Sequence, residues 1–373
     1  KRRSLEKEID HSDVDRLLEF VESVSPQPEV VNQLPFYYKH IFLGKPVITK
    51  DFWIGRQEEL LQGSKALKRF NSGHLGGIAI VGEPGSGKTA LSRYIANRHF
   101  EKQRIYQLNP PEEGAIDVDY FHHRLKELFE KQGSVEHILQ GLPSKSALIL
   151  DDIGSWWERS TEGFKVINDI FDLLKQAGDN CFFIVNADNR TFQLMNDIQP
   201  IEHNFLDIIH CMPYDIESLK QIVLMRHRST GLKFQYHDKD EEQMSQWQLA
   251  RMFTQIYKNG SGNISLALQR WIQSITAVNE ENLIIDHPST VSEKALDHLN
   301  LDQLTFCAQL LLHRRLKRDR LIRIFEMDAG YLDDQIRTLK RSGILVEKSN
   351  GVFYLNTDVQ PFLLQKTIEK GLI

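Results

Sequence analysis

A chain of 373 residues, 41% hydrophobic and 26% charged, has apolar material for two or three packed domains, which excludes a mainly disordered polypeptide. Its 46 basic and 51 acidic side chains give a formal charge of -5, so any nucleic-acid binding must come from a local patch rather than from overall charge. Cys181, Cys211 and Cys307 lie too far apart for a paired zinc or redox motif, and they fit a reducing, cytosolic-type compartment.

Residues 1–48 read as an N-terminal helical extension: a polar helix from Leu5 to Val24, a turn at Pro26 and Pro28, and a short segment from Phe36 to Phe42. The start, Lys1-Arg2-Arg3, is either an arbitrary cut or the cytoplasmic flank of a removed membrane segment in a longer, anchored protein. No apolar run in the sequence itself approaches the roughly 18 to 20 residues that a membrane span requires. Over 49–215, short apolar runs alternate with longer amphipathic stretches. Gly77 to Val81, Arg104 to Leu108, Ala147 to Leu150, Cys181 to Val185 and Ile208 to Met212 are the predicted strands of a parallel sheet with helices on both faces, an α/β core. After Pro213 the strand signal ends. Ile216 to His227, Glu242 to Tyr257 and Ile264 to Val278 have helical spacing, giving an all-helical lid over 216–280, with a linker at 281–300. Within 301–373, three helices (Leu301 to Leu316, Arg318 to Phe325, Leu332 to Ser342) precede a hairpin turning at Ser349-Asn350-Gly351, the order of a winged helix.

The chemistry is concentrated in a few places. Gly82-Glu83-Pro84-Gly85-Ser86-Gly87-Lys88-Thr89 fits G-x-x-x-x-G-K-[ST] between a predicted strand and a predicted helix. There the glycines let successive N–H groups curl toward phosphate oxygens, and the helix that begins with Lys88, Thr89 and Ala90 adds its positive dipole end. Lys88 is expected on the β- and γ-phosphates of ATP or ADP and the Thr89 hydroxyl on Mg2+. Some sixty residues on, the buried strand Ala147 to Leu150 ends in Asp151, expected to hold the metal, and Asp152, expected to orient the attacking water. Asn186, after the next strand, is placed to meet the γ-phosphate or that water. Ile54-Gly55-Arg56 brings a backbone turn toward the adenine.

These four pieces, in this order, resemble AAA+ ATPases of the origin-recognition and helicase-loader branch and the related STAND signalling ATPases, over roughly residues 50 to 280. The resemblance implies a P-loop NTPase fold in which Gly82 to Thr89 act as Walker A, Leu148 to Asp152 as Walker B, Asn186 as sensor 1 and Ile54 to Arg56 as the adenine-side box. The chain departs from the family at three points. Asp151-Asp152 replaces the usual Asp-Glu, His203-Asn204-Phe205 stands where an Arg-Phe finger is usual, and Gly262-Asn263-Ile264-Ser265 puts serine at the sensor 2 position. An arginine finger is worth about three to five decades in rate, so slow hydrolysis and switch-like behaviour are expected unless Arg159, Arg190 or Arg270 substitutes.

Counting from residue 301, twelve basic and nine acidic side chains give +3. The third helix exposes Arg337, Lys340 and Arg341 as a DNA-reading face, but Asp333 and Asp334 in its first turn would repel phosphates. A protein-interaction role for 301–373 is therefore weighed beside DNA binding, and Trp156-Trp157 reads as core or interface packing. The function expected is an ATP-dependent switch coupling nucleotide state to self-assembly or a protein partner. The alternatives are a DNA-binding initiator or transposition-type ATPase, and a nucleotide-holding scaffold in signalling or defence that does not turn over.

Overall fold

The computed structural model describes residues 11–44, 53–112, 114–177, 180–237, 239–260, 262–280, 282–286, 293–325, 328–348 and 351–373. Helices α1 (His11–Val24), α2 (Pro28–Gln33) and α3 (Phe36–Leu43) come first, followed by α4 (Gln57–Asn71). The core then alternates β1 (Gly77–Gly82), α5 (Lys88–His99), β2 (Ile105–Leu108), α6 (Val118–Phe129), α7 (Val135–Gln140), β3 (Ser146–Leu150), α8 (Lys165–Gln176), β4 (Cys181–Asp188), α9 (Asn189–Ile198) and β5 (Asp207–His210). The five strands form one parallel sheet in the order β2-β3-β4-β1-β5. Every residue of β1, β3 and β4 is buried, as expected when helices cover both faces. Alternate positions point to opposite layers. Ala79, Val81, Leu148 and Phe183 pack with Phe121, Leu125 and Ile170, whereas Ile78, Ile80, Ile149 and Phe182 pack with Phe70, Leu91 and Ile95. This is the α/β P-loop arrangement expected, and it aligns the C-terminal ends of β1, β3 and β4, where open parallel sheets bind ligands.

The segment after Pro213 contains α10 (Ile216–Arg228), β6 (Lys233–Tyr236), β7 (Lys239–Asp240), α11 (Gln246–Gly260), α12 (Ile264–Gln273), β8 (Ile275–Asn279) and β9 (Asn282–Ile285). The expectation that strands end at Pro213 is corrected: beside its three helices, this region builds a sheet in the order β7-β6-β9-β8. β9 also falls inside the expected linker, and α12 stops at Gln273 rather than reaching Val278. Leu283, Ile285, Ile275 and Phe234 are buried with Trp271, Phe253 and Leu219, so the strands give the lid helices their apolar floor.

The C-terminal unit runs α13 (Leu301–His313), β10 (Leu316–Lys317), α14 (Arg318–Phe325), α15 (Ala329–Arg341), β11 (Leu345–Glu347), β12 (Val352–Leu355) and α16 (Gln360–Glu369). Three helices and an antiparallel hairpin follow the order expected of a winged helix, with β10 pairing against β12 as a third strand. α13 ends before Leu316, which enters that strand instead. Ser349 and Asn350 of the expected turn lie outside the described residues, as do Leu5 to Asp10 of the expected first helix.

The N-terminal extension straps two units together. Leu17, Phe20, Val21 and Val24 of α1 enter the core of the C-terminal unit, while Val30, Leu34, Tyr38 and Phe42 of α2 and α3 enter that of the lid. Tyr38 is fully buried, and its hydroxyl meets the Trp271 indole N–H at 2.7 Å and His227 Nδ1 at 3.1 Å, which satisfies a polar atom that would otherwise be costly to bury.

Candidate functional site

The loop between β1 and α5 curls as its glycines allow. Gly85 and Gly87 have φ of +74° and +95°, a region that only glycine enters without strain, and a side chain at Gly85 would strike Ser265 of α12. Gly82 faces Cys211 and the Ser86 hydroxyl equally closely. Lys88 opens α5, is 8% exposed, and donates through Nζ to the Gly82 and Glu83 carbonyls, each at 2.8 Å. Burial, followed by the positive charge of Arg314, pulls its ammonium down to about 8. Ser86 Oγ is buried without a hydrogen-bond partner among the described residues. Pro84 and Gly85 are capped from the lid: Asn263 Nδ2 donates to the Pro84 carbonyl at 2.6 Å and Ser265 N to the Gly85 carbonyl at 3.2 Å. Asn263 and Ser265, at the position where the family resemblance implies a sensor arginine, thus seat the lid on the phosphate loop.

The acids converge on the same spot. Thr89 Oγ1 lies 3.0 and 3.1 Å from the two Asp151 carboxylate oxygens, so two hard oxygen ligands meet at the start of α5, a donor set suited to Mg2+. Asn186, expected just past the strand, instead lies fully buried within β4, opposite Ile80 of β1, because β4 continues to Asp188. Its Nδ2 donates to Asp151 Oδ1 at 2.8 Å and to Ser92 Oγ at 3.0 Å, which fixes the Asp151 carboxylate. Asp152 adopts φ 51° as the chain leaves β3 and turns into a short 3-10 helix over Ile153–Trp156.

Arg56 also has positive φ, 65°, beside Gly55 at 74°. Its guanidinium donates to Glu59, to the Met212 carbonyl and to the Ser86 carbonyl at 2.9 Å, and lies 4.1 Å from the Tyr214 ring centre. The Ile54-Gly55-Arg56 turn is thereby pinned to the phosphate loop and to the chain leaving β5. Ile54 itself is half-buried. Of the three candidate substitute arginines, Arg190 binds Glu83 of the loop at 2.6 Å. Arg270 donates to Gln273 and lies over Phe362, and Arg159 is exposed.

Sequence reasoning missed two residues here. Asp188, at the end of β4, caps α9 by accepting from Arg190 N at 3.0 Å, while its other oxygen is buried without a hydrogen bond among the described residues; burial raises its carboxyl, with Arg314 opposing. Arg314, at the end of α13, comes from the C-terminal unit. Its Nε lies 3.5 Å from Asp152 Oδ2 and its Nη2 3.8 Å from Asp188 Oδ2. Asp188-Asn189-Arg190-Thr191 is a legible helix-start signature, but nothing local to His313-Arg314-Arg315 announces a partner more than a hundred residues upstream.

The rest of that unit's docking surface follows the same two strands. Leu312 O accepts from Thr191 Oγ1 at 2.7 Å, and His313 stacks on Trp157 at 5.0 Å. Glu158, 1% exposed, accepts from Arg320 and Arg323. The tryptophan pair is therefore packing: Trp156 in the sheet's helix layer, Trp157 at the interface. On α15, Arg337 pairs with Asp334 and Lys340 with Glu347, while Asp333 holds Arg318 through two bonds at 2.7 and 2.8 Å. No group of three or more metal-ligating His, Cys, Asp or Glu occurs among the described residues, and no described helix is long and apolar enough to cross a membrane.

Residues 78–206 match the model of the AAA family, ATPases associated with various cellular activities. None of the curated proteins compared is similar. Among solved structures, the RuvB Holliday junction branch migration motor of Thermotoga maritima is 17% identical and covers 86% of this chain and 97% of its own, with a TM-score of 0.39. The ORC2 protein of Aeropyrum pernix, in ADPNP-ADP complexes, is 14% identical and covers 87% and 96%, with a TM-score of 0.49.

Proposed function

We propose that this chain, whose residues 78–206 match the model of the AAA ATPase family, is a nucleotide-operated switch that binds ATP with Mg2+ between core and lid, hydrolyses it slowly, and changes how its C-terminal unit sits on the core. One observation carries the reading. The C-terminal unit docks on the segments that follow β3 and β4, next to Asp151 and Asp152 after β3 and Asn186 in β4.

In this reading the loop N–H groups and Lys88 receive the phosphates, Lys88 exchanging its two carbonyl partners for β- and γ-oxygens. Thr89 and Asp151 hold the metal, with Asn186 keeping the Asp151 carboxylate in place. The ion, when bound, neutralises charge on the β- and γ-phosphates. Asp152 orients the attacking water. Its short side chain, with no arginine at the usual finger and sensor positions, sets a slow rate. The partner served is a second copy of this chain or another protein. The paired charges on α15 lend the DNA reading no support.

Nucleotide affinity measured on wild type and Lys88→Ala tests the reading. At least a tenfold loss is expected, from charge-assisted hydrogen bonds worth about 1.5 to 3 kcal/mol; equal affinities would overturn it. Phosphate release abolished by Asp152→Asn with binding intact would separate a slow ATPase from a scaffold that never turns over.

A further inference from the structure

The site has a cation that the family pattern does not supply. Arg314 belongs to the C-terminal unit, yet its charged neighbours are Asp152, Asp188, Asp151 and Glu83, and its positive charge is felt by Lys88. It therefore sits in the cluster of groups that would surround a triphosphate. Two features of its placement are unusual. Helix α13 ends on Arg314 with φ 63° and ψ -39°, at a position where glycine is the low-cost residue, and such strain persists only where surrounding structure enforces it. That enforcement is visible on both sides: Leu312 is bonded to Thr191, and His313 is stacked on Trp157.

The second feature is its pairing. Arg314 Nε and Nη2 are at ion-pair distance from the two aspartates, but both nitrogens are buried without a hydrogen bond among the described residues, and so is Asp188 Oδ2. A guanidinium is a rigid fork of donors that matches the oxygens of a carboxylate or phosphate two at a time. Here it is aimed at acids that it reaches only by charge.

We propose that Arg314 is the residue through which the C-terminal unit senses the third phosphate of a bound nucleotide. Without nucleotide it is held between Asp152 and Asp188. With ATP, the γ-phosphate oxygens become its hydrogen-bonding partners and free Asp152 for water. With ADP, that partner is missing and Arg314 stays on the two acids. The inference rests on the proposed binding of nucleotide at Gly82 to Thr89 and adds to it a cation supplied by the same chain, from the unit whose position is to be switched.

The test is calorimetric binding of ATP and of ADP, each with magnesium, to the full chain as wild type, Arg314→Ala, Arg314→Lys and Arg315→Ala. A lost charge-assisted fork should lower ATP affinity about tenfold or more while ADP affinity stays within about twofold. Lysine should restore part of the preference, and the Arg315 change should move neither affinity. A residue that merely held the domains together would lower both affinities alike. Should Arg314→Ala fold poorly, Arg314→Gly suits the backbone angle and removes the same donors. An ATP-to-ADP ratio unchanged by loss of Arg314 overturns this proposal alone, whereas a wild type that binds neither nucleotide overturns it together with the reading beneath it.

Discussion

Replacing Glu158 with glutamine should loosen the C-terminal unit from the core without disturbing the phosphate loop. Glu158 is 1% exposed and accepts from Arg320 Nε at 2.8 Å and from Arg323 at 3.2 and 3.3 Å. The amide keeps the shape but removes the charge, leaving the Arg320 side chain, 8% exposed, beside a neutral group. Removing one partner of a buried pair costs about 3 to 5 kcal/mol. The low end applies here, because Arg320 keeps its bond to the Trp157 carbonyl at 3.0 Å and Arg323 is half-exposed and rehydrates. About 3 kcal/mol is roughly a hundredfold in the docking equilibrium. Amide hydrogen exchange reads it directly: α14 and residues 153–156 should lose protection together, while α12 in the lid keeps its own. The reasoning fails if the variant exchanges like wild type at both places, or if lid and interface open to the same degree, which would mean global destabilisation.

Lys88 gives a prediction in pH. Burial and Arg314 hold its ammonium near 8, so in the nucleotide-free protein burying its charge is a penalty below pH 8 that is relieved as pH rises toward 10.5. Bound phosphates favour the charged form, so binding should take up a proton above about pH 8 and ATP affinity should fall as pH rises further; calorimetry at pH 8.5 in two buffers of different ionisation enthalpy checks this, and identical heats would refute it. His227 and His313 are buried neutral, desolvation lowering them to about 4 and about 3 from 6.5. Their contribution to stability is complete above pH 6.5 and is lost as pH falls from there toward 4 and 3, on the order of a few kcal/mol in all. The melting temperature should drop over that range and His313→Phe should flatten part of the drop; a profile level down to pH 4 in wild type would contradict the assignment.

What was legible in the sequence was what chemistry writes locally. The phosphate loop needs its glycines, lysine and threonine at fixed offsets, and β1, β3 and β4 are continuous apolar runs because both faces of the sheet are covered. The lid sheet was hidden for the opposite reason. Ile272, Ile275 and Val278 continue the spacing of α12, and only Ser274 and the pairing with β9 turn Ile275 onward into a strand. That sheet further depends on β6 and β9, which pair in parallel across the intervening helices, a contact that no local window contains. Arg314 is the extreme case: a count of basic residues places it with Arg315 and Lys317, and only the folded chain sets it against Asp152 and Asp188.

These contacts close a circuit through the molecule. The core meets the lid where Asn263 and Ser265 grip Pro84 and Gly85. The lid meets the strap and the C-terminal unit where Gln273 bonds the Val24 carbonyl and Arg270 lies over Phe362. The C-terminal unit returns to the core at Thr191, Trp157, Glu158 and the acids facing Arg314. Packed units joined in a ring cannot alter one junction alone, since interiors are dense and shift between discrete arrangements rather than stretching. A nucleotide that separates the phosphate loop from the lid, or draws Arg314 off its aspartates, must therefore be answered at the other two junctions. If nucleotide binds as proposed, blocking motion between lid and C-terminal unit at α1 is expected to raise or lower nucleotide affinity without touching the site.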